Sequence, residues 1–219
     1  AASLPPAPVP FEAAPMSKRN AWQRRQESDP YVAGARKAGY RSRAAFKLIQ
    51  IDDRDRLLTP GAVVVDLGAA PGGWTQVAVE RVGEKGRVVA IDYRPMEPVP
   101  GATFLQADFA TDAGLAAVEE ALGGERADVV LSDMAPDLSG IKAADQARSL
   151  ELCELAADLA ERHLRVGGAL LVKAFQGEGF DAFFAGLRGR YDKVAGRKPD
   201  ASRGESTEQY VLARGFRGT

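Results

Sequence analysis

The chain has 219 residues and a formal net charge of −1, with 45% apolar and 27% charged residues. That balance fits one soluble globular domain with a full core and excludes fibrous or low-complexity chains. No apolar run approaches the roughly 20 residues that span a bilayer, and one cysteine (Cys153) with one histidine (His163) leaves neither an internal disulfide nor a Cys/His zinc centre. A cytoplasmic, reducing location, no membrane partner and no metal are therefore expected.

In chain order, residues 1–15 are rich in Pro and Ala and read as a disordered leader. Residues 16–58 read as a basic helical extension packed on the core, with Ser42 as N-cap of a helix running to about Asp53 and with Phe46 and Ile49 on one face. Thr59-Pro60-Gly61 breaks the pattern and opens a core spanning 59–219. Strand signals lie near 62–66, 87–92, 103–106, 127–133 and 169–174; helix signals near 74–82, 111–122, 144–164 and 178–189. That alternation predicts an α/β fold with a mostly parallel, doubly wound sheet. The tail differs: Tyr191–Arg197 and Glu208–Arg214 read as strands joined by the polar loop Lys198–Thr207, an antiparallel hairpin at the sheet edge. No internal repeat and no second domain are visible, and a monomer is expected.

The near-zero net charge hides an asymmetry. Met16–Arg56 carries eleven Lys/Arg against five Asp/Glu, a net +6, and Arg188–Thr219 eight against four, a net +4. Leu57–Leu187 carries ten against twenty, a net −10. If the two ends meet, they form one basic face on an acidic body, as a nucleic-acid binder requires.

The stretch Asp66-Leu-Gly-Ala-Ala-Pro-Gly-Gly-Trp74 follows the β-branched run Val63-Val-Val65 and precedes a helix signal. Strand, small-residue turn and helix together bind nucleotide-like ligands at the carboxyl edge of a parallel sheet. The dinucleotide fingerprint G-x-G-x-x-G is not met, because Ala70 stands where its second glycine would be. The next apolar run ends in Asp92, placed to accept hydrogen bonds from two ribose hydroxyls. The pattern resembles the S-adenosylmethionine (SAM) site of class I methyltransferases. It implies a cofactor site built from Asp66, Gly68, Ala70, Pro71, Gly72, Gly73, Trp74, Asp92, Asp108, Phe109 and Asp133. Asp108 follows the third strand signal, where it can accept from an adenine amino group with Phe109 beside the ring; taken alone, it reads equally as a helix N-cap.

Asp133 ends the fourth strand signal in Ser132-Asp-Met-Ala-Pro136, which lacks the Asn-Pro-Pro-Tyr of amino-group methyltransferases. Lys173 follows the buried-strand pattern Ala169-Leu-Leu-Val172, where a lysine is costly unless paired. Glu208 opens the last strand, and Lys47 lies on the first helix.

Lys47, Asp133, Lys173 and Glu208 match the Lys-Asp-Lys-Glu tetrad of the FtsJ/RrmJ family of RNA ribose 2′-O-methyltransferases, which the chain resembles from about Tyr31 to Ala213. The likeness includes Gly39-Tyr-Arg-Ser-Arg-Ala-Ala-Phe-Lys47, Lys173-Ala-Phe-Gln-Gly-Glu-Gly-Phe180 and Arg197-Lys-Pro-Asp-Ala-Ser-Arg203. Ala45 departs from it, standing where a bulkier aromatic is expected. The resemblance implies SAM as methyl donor, those four residues as the catalytic set, and a 23S rRNA uridine of the large ribosomal subunit as target. Arg41, Arg43, Lys47, Arg197, Lys198 and Arg203 are the RNA contacts that the charge census and the resemblance suggest together. A tRNA 2′-O-methyltransferase with the same tetrad, or a non-catalytic RNA-binding ribosome-assembly protein, are the alternative readings.

Overall fold

A computed structural model describes residues 29–136, 139–202 and 206–218. Arg203, the leader 1–15 and the basic stretch 16–28 lie outside the described residues. The described chain opens with two helices, α1 (Pro30–Ala38) and α2 (Ala44–Asp55). The Asp29 carboxylate caps α1 by accepting from the Tyr31 amide at 3.0 Å, Pro30 occupies the first turn, and Gly39 at φ 80° closes the other end.

Strands and helices then alternate: β1 (Val63–Leu67), α3 (Gly73–Val82), β2 (Arg87–Asp92), β3 (Ala102–Gln106), α4 (Asp112–Leu122), β4 (Ala127–Ser132), α5 (Lys142–His163), β5 (Leu164–Phe175) and α6 (Phe180–Arg190). The chain finishes with β6 (Tyr191–Arg197) and β7 (Glu208–Phe216). The sheet order is β3-β2-β1-β4-β5-β7-β6. Its first five strands are parallel, and β7 runs antiparallel to both β5 and β6. The strand order reverses between β1 and β4, the switch point at which a crevice opens beyond the carboxyl ends of a doubly wound sheet.

Both faces of the sheet are buried, which is why the central strands read as continuous apolar runs. On one face α4, α5 and α6 contribute Val118, Leu122, Leu159 and Leu187 to a cluster with Val65, Leu67, Val130 and Leu170. On the other, α2 and α3 pack Ala45, Leu48, Ile51, Trp74 and Val77 against Val64, Leu131, Leu171, Tyr210 and Leu212. Among the described residues no helix is long and apolar enough to cross a membrane.

Beyond shifts of one or two residues, two boundaries differ from the sequence reading. β5 begins at Leu164, five residues before the expected 169, because the strand continues through Gly167-Gly168 with a register shift between its pairing at Ala127 and at Val129. The glycine pair is an irregularity inside the strand. The Ser42 cap is also corrected: α2 starts at Ala44, its N-cap is Arg43 in helical conformation, and no side chain caps it. Ser42 instead faces Gly73, where an added Cβ would strike its hydroxyl.

Gly114, in the first turn of α4, sits against the main chain of Asp108 and Phe109, and a Cβ there would overlap the Asp108 carbonyl. Neither side of that clash is a flexible side chain. Gly114→Ala is expected to cost about 1–3 kcal/mol of stability, the usual range for overpacking. It should also weaken ligand binding in the crevice that Asp108 and Phe109 border. Wild-type melting and unchanged ligand affinity in the variant would show that α4 shifts freely.

Candidate active site

The crevice at the switch point holds a cavity of about 400 Å³, lined by the β1–α3 turn (Gly68–Pro71), the ends of β2 and β4, and Ser42 and Ala44 from the approach to α2. That volume is within the range of small-molecule sites. Gly68 and Gly72 hold φ of 71° and 106°, which bends the turn back on itself and leaves its backbone bare toward the cavity. A Cβ at Gly68 would overlap the Met134 side chain. Asp66, Asp92, Asp108 and Asp133 border the cavity, along with Phe109 and Trp74. A bare-backbone turn with carboxylates at successive strand ends fits an adenosine-bearing, cationic ligand such as SAM.

The carboxylates are not equivalent. Asp92, 2% exposed, accepts from the Ala70 amide at 2.9 Å and the Arg94 amide at 2.8 Å, so it ties the turn to the end of β2. The Arg94 guanidinium lies 3.3 Å from the same carboxylate. Asp108 accepts from the Ala110 amide at 3.0 Å, while the cap of α4 is Thr111, whose hydroxyl accepts from the Gly114 amide. Asp108 is thus a loop carboxylate at the cavity, not the helix cap. Asp66 is 1% exposed, and burial pushes its carboxyl up to about 7, against the hydrogen bond donated by Thr75 at 2.7 Å and with a further push from Asp133 and Asp92.

Beyond the cavity the four candidate catalytic residues meet. Lys47 of α2 donates to Glu208 at 2.6 Å. Lys173 of β5 lies 3.4 Å from the Asp133 carboxylate and 3.6 Å from Glu208. All four side chains are at most 17% exposed. Burial raises the Glu208 carboxyl, but the charges of Lys47 and Lys173, with hydrogen bonds from Lys47 and Ser202, outweigh it and hold the group below its usual range. The topology makes this meeting possible. β7 is antiparallel to β5, so Glu208 at its start sits opposite Phe175, near the carboxyl end of β5, with Lys173 facing Tyr210.

Several site residues escaped the sequence reading. Tyr210 is fully buried, donates to Asp133 at 2.6 Å, stacks at 5.6 Å on Trp74, and lies under the Lys47 ammonium at 5.7 Å. Burial and the Asp133 charge hold its hydroxyl well above the usual range, so it stays a donor. The signal was present: two residues after Glu208 on a strand, Tyr210 shares its face. Ser202, Tyr93, Arg94 and Met134 were also missed, being loop residues with no periodicity.

Of the six expected RNA contacts, Lys47 belongs to the tetrad and Arg203 lies outside the described residues. Arg197 makes a paired fork to Asp55 at 2.6 and 2.6 Å. Arg43 bonds Asp29 and the Ala201 carbonyl, and Arg41 donates to the carbonyls of Pro71, Glu97 and Pro98. Lys198 is exposed, its ammonium on the Ser206 carbonyl at 2.7 Å. Charge counts see none of these partnerships. Cys153 is buried against the Lys173 carbonyl, as its place in an apolar helix run suggested.

A switch-point crevice of this kind beside a buried Lys-Asp-Lys-Glu cluster defines a class I-type methyltransferase. The FtsJ-like methyltransferase pattern runs through residues 40–216, and the chain belongs to that family. Its relatives include the ribosomal RNA large subunit methyltransferase E of Halorhodospira halophila, 60% identical over 191 residues, or 87% of this chain and 90% of that protein. The protein of the same name from Pseudomonas aeruginosa is 54% identical over 197 residues, 90% of this chain and 95% of that one. A solved structure of a Plasmodium falciparum chain described as a ribosomal RNA methyltransferase matches with TM-score 0.75 at 30% identity, covering 82% of this chain and 100% of the other.

The raised Asp66 carboxyl makes stability depend on pH. Its folded value exceeds the unfolded one, so its contribution is full below about pH 4 and is lost as pH rises toward about 7. Asp66→Asn keeps an acceptor for Thr75 and has no charge to bury. The variant should therefore gain stability relative to wild type between pH 4 and 8, read as a melting-temperature difference that grows with pH. A difference independent of pH would mean that Asp66 is ionised throughout the range.

Proposed function

We propose that the protein transfers a methyl group from SAM to a ribose 2′-hydroxyl of RNA, and specifically to a uridine of 23S rRNA in the large ribosomal subunit. The observation that carries this reading is the meeting of Lys47, Asp133, Lys173 and Glu208 at the rim of the crevice. Family membership and relatives named as large-subunit rRNA methyltransferases support the substrate. A binding protein has no need of a lysine buried in a central strand between two carboxylates.

Asp92, Asp108 and Phe109 would hold the adenosine of SAM, while the bare turn Gly68–Gly73 and Asp133 would hold its amino-acid end. SAM supplies an already activated methyl group, so the residues need only align the acceptor oxygen and remove its proton. Lys173 does the second: its ammonium, paired at rest with Asp133 and Glu208, first gives a proton to solvent, and the free amine then accepts the 2′-hydroxyl proton on Nζ. Asp133 and Glu208, at 3.4 and 3.6 Å, fix the direction of that amine. Lys47, anchored by Glu208, orients the ribose. Tyr210 binds one oxygen of Asp133 and limits how the carboxylate can turn.

Lys173→Ala should abolish methyl transfer to ribosomal subunits and leave SAM binding by calorimetry near wild type. Loss of a positioned base costs about 10²–10⁴-fold in rate. Lys173→Arg should rescue little, because a guanidinium does not release its proton in the useful range. Near-normal single-turnover transfer by either variant would remove Lys173 from this role.

The RNA lies, in this reading, across the basic surface of the chain ends. Arg36 and Lys37 in the last turn of α1 and Lys198 after β6 are exposed, while Arg43 and Arg197 brace that surface from within. Each phosphate contact on single-stranded RNA adds roughly 0.7 to the salt slope of binding. Reversing Lys37 and Lys198 to Glu should weaken RNA binding and flatten that slope by about one to two contacts, with SAM affinity unchanged. Lys85→Glu, exposed in the acidic middle of the chain, should do neither. Equal losses in both proteins would make overall charge, not a face, the determinant.

A further inference from the structure

We infer that Arg41 is a positioning residue of the cofactor crevice and not a contact to RNA phosphate. Its guanidinium donates to three main-chain carbonyls, those of Pro71 at 3.3 Å, Pro98 at 2.8 Å and Glu97. Pro71 belongs to the β1–α3 turn. Glu97 and Pro98 belong to the β2–β3 connection, which begins at Asp92, the acceptor assigned to the cofactor ribose. A single side chain therefore clasps together the two loops that border one wall of the crevice.

Three further features are built around this clasp. Gly72 at φ 106° leaves the space the guanidinium needs: a Cβ there would come 2.9 Å from Arg41 Nη1 and 3.0 Å from Met96 Sδ. The Arg41 amide donates to Gln76 Oε1 at 2.9 Å, and Gln76 Nε2 donates back to the Gly39 carbonyl at 3.0 Å, so α3 fixes the main chain on which Arg41 stands. The neighbouring Ser42 and Ala44 themselves line the cavity. The carbonyl fork occupies three of the guanidinium's five donors, two on Nη1 and one on Nη2. The three acceptors are reached from two nitrogens held in one plane; an ammonium carries equal charge and three donors, but all on a single nitrogen.

That difference supplies the test, which rests on the reading of the crevice as a SAM site. Arg41→Lys keeps the charge and removes the fork. We expect its SAM dissociation constant by calorimetry to rise on the order of tenfold, in line with the loss of charge-assisted hydrogen bonds at a partly exposed site. The KM for SAM should rise likewise, with kcat at saturating SAM unchanged and with wild-type RNA affinity and salt slope. In the ligand-free protein, exchange of the Ala70 and Ala102 amides, bonded to Asp92 and to the Val99 carbonyl, should accelerate in the variant, a readout that needs no cofactor. Arg41→Ala should match Arg41→Lys in all of these. The inference is overturned if Arg41→Lys binds SAM as wild type does with unchanged exchange, or if Arg41→Ala loses RNA affinity that Arg41→Lys retains while SAM binding stays intact. Failure of the wild-type protein to bind SAM at all would overturn both this inference and the function it rests on.

Discussion

Everything at the active site depends on one carboxylate shared between two lysines. Glu208 receives Lys47 at 2.6 Å and lies 3.6 Å from Lys173, and it does so where solvent barely reaches. Burial alone would favour the neutral acid; the two ammonium groups reverse that preference. Lys47 depends on it most, since an unpaired buried charge costs several kcal/mol, whereas Lys173 also has Asp133 at 3.4 Å. Ser202 fills a further lone pair of the same oxygen that Lys47 uses. Charge, hydrogen bonding and strand pairing are thus settled together at one residue.

The fold delivers the parts of this cluster from four places: a helix before the sheet, the ends of two parallel strands, and the start of an antiparallel one. Only the reversal at β7 puts a strand's first residue beside the last residues of its neighbours. The cofactor crevice uses the opposite logic, with carboxyl ends of consecutive parallel strands meeting at the switch point. Tyr210 and Trp74 join the two regions, one bound to Asp133 and the other bordering the cavity, with their rings in contact.

Much of this was legible in the chain. The β-branched runs gave the parallel strands because both faces of the sheet are covered, and the unlike tail gave the hairpin. The turn Asp66–Trp74 and the four tetrad positions were legible as well, through their motifs. What escaped were features that depend on partners distant in sequence. Arg41, Arg43 and Arg197 read as spare positive charge, yet each is matched to carbonyls or carboxylates supplied by other segments. Ser42 read as a cap because its position suited one, while the hydroxyl turned to Gly73. The start of β5 was set at 169, after the helix expected to 164, because the strand's pairing through Gly167-Gly168 is irregular.

The span between Lys47 and Glu208, 161 residues, bears on how the molecule comes into being. A polypeptide emerges from its amino end, so α2 and its lysine are made before the sheet and wait 161 residues for their partner. The five parallel strands can assemble around the crevice before the final strand exists. The residue that pairs with both lysines arrives only with β7, after all five parallel strands. Completion of the catalytic cluster therefore waits for β7 to be made. Any shortened product ending before β7 is left with a Lys47 that has lost its carboxylate, and with β5 as an open sheet edge in place of a closed one.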